Sequence, residues 1–130
     1  MIDYTKKKWR IIGRVVQGLV AAFLLFDSII HILNIPAVQQ ASAQLGLAPG
    51  LAIPIGFVEL ICVLLYLVPG TSILGALLLT GYLGGAVATN VIGGTPLFTN
   101  ILFPVYVGIL IWGALHVRDG RIRELIPFKK

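Results

Sequence analysis

The chain has 130 residues and a formal net charge of +5, with 58% hydrophobic and only 12% charged residues, against roughly 25% charged in a soluble domain. So apolar a chain cannot cover itself with polar surface in water, which excludes a soluble enzyme or binding module and points to one integral membrane domain over residues 1–130. The basic excess does not indicate nucleic acid, because the basic residues flank apolar runs and form no stripe on a polar face.

In chain order, Lys6-Lys7-Lys8-Trp9-Arg10, an apolar stretch and Ala41-Ser42-Ala43 hold the ingredients of a secretory signal. The apolar stretch is too long, and the small residues lie too far beyond it, so the segment is read as retained. A first span is expected over about residues 11–33, roughly 23 residues or about 35 Å of helix. Pro36 ends it. Residues 37–45 read as a short uncharged helix with Pro36 at its start and Gly46 as its stop. Its apolar face (Ala37, Val38, Ala41, Leu45) suits an interfacial position or a cap over the bundle.

Pro49-Gly50 marks a turn before a second span over about 51–68, with Pro54 tolerated in its first turn. Pro69-Gly70 reverses the chain, and Thr71 or Ser72 can cap a third span over 72–92. Gly93-Gly94-Thr95-Pro96 opens the next loop. The fourth span runs over about 101–117, with Pro104 near its start. The tail from Arg121 to Lys130 alternates basic residues with Ile122, Leu125, Ile126 and Phe128, as expected of a segment lying on a membrane surface.

All ten basic residues lie at the two ends: Lys6, Lys7, Lys8, Arg10 and Arg14 before or at the start of the first span, Arg118, Arg121, Arg123, Lys129 and Lys130 after the fourth. An even number of spans puts both ends on one side, and the positive-inside rule makes that side the cytoplasm. Trp9 and Trp112 then fall at the inner interface. The expected fold is all-α: a four-transmembrane-helix bundle with both termini inside and a short interfacial helix between the first two spans.

Between Arg14 and His116 the only charged side chains are Asp27 and Glu59, joined by one imidazole, His31. Ionisable groups at membrane depth are costly and need a reason. Asp27 lies about seven residues before the outer end of the first span and Glu59 about eight after the outer start of the second, so both sit roughly 10–12 Å deep. His31 follows Asp27 by four residues and shares its helix face. Tyr82, Asn90 and Tyr106 also fall in the outer half. These six are the candidate ligand-binding residues, lining a polar pocket open to the outer side. Two close carboxylates in low dielectric do not both ionise comfortably; a shared proton or an imidazolium at His31 relieves them.

The alternative is structural: Asp27 and Glu59 hydrogen-bond across helices and fix the bundle's register. One imidazole and two carboxylates can hold a metal, but their spacing alone assigns none. His31 and His116 lie at opposite faces, which excludes a shared haem. Cys62, the single cysteine, has no partner for a disulfide redox pair and reads as packing. Gly81, Gly85, Gly84 and Ala88 form two overlapping small-xxx-small pairs, the residues of choice for close helix packing in lipid.

The run Leu79-Thr80-Gly81-Tyr82-Leu83-Gly84-Gly85-Ala86-Val87-Ala88-Thr89 resembles the DoxX-like family of small four-span membrane proteins. So do Glu59 followed by Leu67-Val68-Pro69, Phe103-Pro104 at the fourth span, and Trp112 leading to Arg118-Asp119 and Pro127. The resemblance covers nearly the whole chain. Members often carry histidine where this chain has Asn90, which removes an acid-base or metal-binding group there, and lysine near His31. The resemblance implies mostly architecture; some relatives look like membrane subunits of a quinone-linked oxidoreductase, others are linked to oxidative-stress complexes.

Three functions follow. The first is an accessory protein of a bacterial plasma membrane, binding a small amphipathic molecule or quinone in its outer-half pocket, alone, as a homo-oligomer or with a membrane partner. The second is a quinone-linked oxidoreductase component, with Asp27, His31 and Glu59 handling protons. The third is a structural or assembly factor acting through the glycine face of the third span.

Overall fold

The computed structural model describes residues 6–125. All regular elements among them are helical: α1 (Lys7–Leu33), α2 (Pro36–Gln44), α3 (Ala52–Leu67), α4 (Ser72–Ile92), α5 (Phe103–Arg118) and α6 (Gly120–Leu125). A 3₁₀ turn at Pro69–Thr71 joins α3 to α4, and a π-helical turn at Leu97–Ile101 precedes α5.

Three stretches are long and apolar enough to cross a membrane: Lys7–Leu33, Pro69–Ile92 and Leu97–Arg118. Helix α3 is apolar but has only 16 residues, Ala52–Leu67, one residue short at each end of the 51–68 expected from sequence. The protein is an integral membrane protein, its large side chains divided between a core and an apolar exterior. Leu24, Val63, Tyr66, Leu79 and Ile111 are fully or almost fully buried, while Leu19, Phe26, Ile61, Leu77 and Ile109 point outward. An apolar exterior is stable against acyl chains, where helices associate by packing and hydrogen bonds instead of by the hydrophobic effect.

Helices α1, α3, α4 and α5 form a ring in which each packs on its two neighbours. Neighbours are antiparallel, as pairs of close residues show: Gln17 meets Tyr66 and Gly56 meets His31 between α1 and α3. Between α4 and α5, Trp112 Nε1 donates to Thr80 Oγ1 at 2.8 Å. Between α5 and α1, the Phe23 and Phe103 rings meet edge to face with centroids 5.5 Å apart.

The helix ends follow local chemistry. Asn34 closes α1 in the left-handed conformation, with φ 52°, and its N–H donates to the His31 carbonyl. Asparagine tolerates that conformation better than any branched residue. Pro36 then opens α2, its missing N–H costing nothing in a first turn. Gly46, after α2, takes φ +76°.

The small-residue pattern on α4 does not pack the bundle. A Cβ added at Gly81, Gly84 or Gly85 would meet nothing within 4 Å, and Ala88 is exposed. Close approach occurs at Gly75, where a Cβ would sit on the Tyr66 backbone, and at Gly56, where it would meet the Ile32 nitrogen at 2.9 Å. The pattern is silent on which of its faces points inward, because all sides of a lipid-embedded helix are apolar.

The tail also departs from expectation in part. Ile122 of α6 is buried against the core. Arg123 Nη1 donates to the carbonyls of His116 and Val117 at 2.8 and 2.9 Å, satisfying the free carbonyl end of α5. Ile126, Pro127, Phe128, Lys129 and Lys130 lie outside the described residues.

Candidate functional site

Gly56 sets the geometry of the site. One turn before Glu59, it lets the α3 backbone settle against His31 and Ile32 of α1, and Glu59 then faces the Asp27–His31 turn. One ligand atom each from Asp27, His31 and Glu59 lie within 4.8 Å of one another. The carboxylates that sequence places at equal depth are therefore neighbours, on the same side of the helix pair.

Their surroundings differ. The side chains of His31 and Asp27 retain 25% and 29% exposure, whereas Glu59 is 0% exposed and neither Oε1 nor Oε2 has a hydrogen-bond partner. A buried polar group without a partner costs about 1–3 kcal/mol, and more when charged. Tyr82, Asp27 and His31 are polar neighbours of Glu59, yet none of them reaches hydrogen-bond geometry with its oxygens.

His31 Nδ1 lies 2.6 Å from the Asp27 backbone oxygen and 3.4 Å from Asp27 Oδ2. A carbonyl only accepts, so Nδ1 carries the proton in that bond, and Nε2 keeps its lone pair while the ring is neutral.

The three groups line a cavity of about 700 Å³ at the end of the bundle that carries α2 and the 97–101 turn. Its walls are mainly apolar, with Phe23, Leu24, Ile55, Phe103 and Val107 among them. Helix α2 roofs it with the face read from sequence, Ala37, Val38, Ala41 and Leu45. Gly81 and Gly85 also line it. The side chains they lack are the space, which gives these glycines a physical reason other than helix packing.

Of the six candidate ligand residues, Asp27, His31, Glu59, Tyr82 and Asn90 line the cavity. Asn90 is partly engaged locally: its Nδ2 donates to the Ala86 carbonyl at 2.8 Å, and its Oδ1 accepts from Thr95 Oγ1 at 3.0 Å. Tyr106 does not belong to the cavity. It is 43% exposed and its hydroxyl donates to the Phe98 carbonyl. It stands in the first turn of α5, toward the cavity end, but on the outward side of a helix that is apolar all round.

Sequence reading missed the polar lining from Ser42, Thr89, Thr99 and Asn100. Ser42 stands beside Ala41 on the roofing helix, and a helical-wheel reading of the faces of α2 could have found it. Thr99 and Asn100 come from the irregular π turn, for which sequence carried no signal.

Among the described residues, no lysine or arginine lines the cavity. Two carboxylates and an imidazole can accept hydrogen bonds, exchange a proton or hold a cation. The same three residues are a donor set able to hold a metal ion, and their closeness, unlike their spacing in sequence, is informative. A second groove of about 400 Å³, between α4 and α5 at Leu83, Gly84, Gly108 and Trp112, is apolar and contains no ionisable group.

A sequence profile described as the DoxX-like family matches residues 15–114, which include α3 and α4 whole and most of α1 and α5. Neither the curated proteins nor the solved structures contain a match to the chain.

Proposed function

Since the chain belongs to the DoxX-like family, we propose that it is a four-span membrane protein whose cavity binds a small amphipathic molecule, with a quinol or quinone as the leading class. The carrying observation is Glu59, wholly buried with two unpartnered oxygens at the wall of a 700 Å³ cavity. A head group that donates a hydrogen bond there removes the cost of burying a bare acceptor. The apolar walls suit a hydrocarbon body, and pockets of this size and make-up are typical of small-molecule sites. A quinol hydroxyl can donate to a carboxylate, whereas an oxidised quinone only accepts; the reduced form is therefore the better match.

In this reading α3 is the second span, short but in antiparallel register with α1 and α4. The clustered basic residues at both ends favour cytoplasmic termini in a bacterial plasma membrane, and the cavity opens on the outer side. The protein works as an accessory to a membrane complex, or as a homo-oligomer, presenting or sequestering its ligand.

The test is equilibrium binding of a short-chain quinol, under reducing conditions, to the detergent-purified chain after treatment with a chelator. Wild type should bind, and Glu59→Gln should weaken binding about tenfold or more while thermal unfolding of the empty protein stays close to wild type. Absence of saturable binding to wild type overturns the reading, as does equal affinity of the variant.

A further inference from the structure

We propose that Asp27, His31 and Glu59 form a site for one divalent first-row transition-metal ion, of the Mn²⁺ to Zn²⁺ series. The inference goes beyond the amphipath reading and does not rest on it, because the ion needs only these three side chains.

Geometry comes first. Ligand atoms around one such ion sit about 2.0–2.2 Å from it, hence up to roughly 4 Å apart, and here one ring nitrogen of His31 and one oxygen of each carboxylate lie within 4.8 Å of one another. Closing that gap takes small side-chain rotations. Asp27 and His31, both partly exposed, are free to make them, whereas Glu59 is fixed in the wall.

Glu59 is the independent sign of a ligand. Both of its oxygens are buried without a partner, on a residue that lines the cavity, while the other buried side-chain polar groups of α1 and α3, on Gln17, Ser28 and Tyr66, all hydrogen-bond.

His31 is also prepared as a metal ligand. Its Nδ1–H is held by the Asp27 backbone oxygen at 2.6 Å, the arrangement that orients a ligating imidazole and leaves Nε2 for the metal. An i,i+4 pair on one helix with a third ligand from the facing helix is a usual way to build a metal site in a bundle.

Charge selects the kind of ion. Two carboxylates, once ionised, would carry two negative charges, and among the described residues no lysine or arginine lines the cavity; a single proton cancels one of those charges, a divalent ion both. The imidazole nitrogen disfavours Mg²⁺ and Ca²⁺, which take oxygen donors, and suits Mn²⁺, Fe²⁺, Co²⁺ or Zn²⁺. Three protein ligands leave at least one coordination position, facing the cavity, for water or the oxygen of a bound molecule.

The experiment titrates Zn²⁺ alone into the untagged, chelator-stripped full chain in detergent, by calorimetry, and repeats the titration with Co²⁺ followed by its visible absorption. Wild type should take up one ion per chain, and the Co²⁺ spectrum should be that of a site with nitrogen and oxygen ligands. Glu59→Gln and His31→Gln should each weaken Zn²⁺ binding at least about tenfold, and His116→Ala should leave it unchanged. His31→Gln, at a partly exposed position, serves if Glu59→Gln fails to fold. No uptake by wild type, or uptake insensitive to His31→Gln, overturns the proposal. Quinol binding to the stripped protein without Zn²⁺ uptake would defeat the metal site and leave the amphipath reading standing; Zn²⁺ uptake without quinol binding would do the reverse.

Discussion

The two halves of the bundle use the same four helices to opposite ends. In the half next to α6, Gly75 lies against the Tyr66 backbone. Gln17 Nε2 donates to the Tyr66 carbonyl at 3.0 Å, and the Tyr66 hydroxyl donates to the Ile111 carbonyl at 3.1 Å. Three helices are thereby tied through one buried aromatic residue. In the half next to α2, Gly81 and Gly85 face open space, and the buried Glu59 has no hydrogen bond. Polarity does not distinguish the halves, since each buries polar side chains. What differs is that the half next to α2 holds Glu59, a buried polar group with no hydrogen-bond partner among the described residues. A buried polar group with its partner is structure; one without is where a ligand belongs.

The glycines give the sharpest way to break this contrast. Gly75→Ala should destabilise strongly, because overpacking against backbone costs about 1–3 kcal/mol or more. Gly81→Ala should do the opposite: nothing lies within 4 Å of the added methyl, and relief of glycine's backbone entropy is worth roughly 0.5–1 kcal/mol. Thermal unfolding in one detergent, read by circular dichroism, compares the two directly. Shifts of the same sign and size would mean that the halves are packed alike.

A smaller effect separates the partnered from the unpartnered polar group. Tyr66→Phe keeps the ring but loses the bond to Ile111, and should cost about 0.5–1.5 kcal/mol. Glu59→Gln removes no hydrogen bond and should leave the stability of the empty protein level or slightly higher. A larger loss from Glu59→Gln than from Tyr66→Phe, by the same unfolding assay, would make Glu59 a structural tie and remove the distinction.

Sequence revealed axial positions far better than directions around a helix. Residues 72–92 were bounded correctly by Pro69-Gly70 at one end and Gly93-Gly94 at the other, since turn chemistry acts locally. The common depth of Asp27 and Glu59 followed from counting at a fixed rise per residue. Azimuth is harder in lipid. A soluble helix marks its inner face by hydrophobicity, but α5 is apolar on every side, so Tyr106 could not be told from an inward residue. The glycines of α4 show the same limit, for a missing side chain suits close packing and empty space equally well. Gly56 and Gly75, which do set helix contacts, stand alone and form no motif. Tyr66 gave no signal of its role either, because its partners are the Ile111 carbonyl, 45 residues away, and the side-chain amide of Gln17, 49 residues away.

The smallest effect lies where α5 meets α6, and it tests whether the halves are independent. Asp119 Oδ1 accepts from the Arg121 backbone N–H at 2.9 Å, and Oδ2 from Arg121 Nη2 at 2.8 Å. The first of these contacts caps the start of α6. The Arg121 hydrogen bonds, outweighing some burial, hold the Asp119 carboxyl below its ordinary value. A carboxyl lowered in the folded state contributes stability that is present above its unfolded value and is lost as pH falls through the folded one. Exchange of the Arg121 and Ile122 amides, corrected for intrinsic rate, should therefore be protected at neutral pH and speed up only on acidification below the carboxylate range. Asp119→Asn keeps an acceptor for the cap but removes the ion pair, so protection should fall slightly at neutral pH and lose that acid dependence. Binding of quinol and Zn²⁺ should be unchanged, since Asp119 does not line the cavity. If Asp119→Asn altered either affinity, the α6 end would be coupled to the cavity, and the division of this bundle into a closed half and an open half would have to be replaced by one cooperative unit.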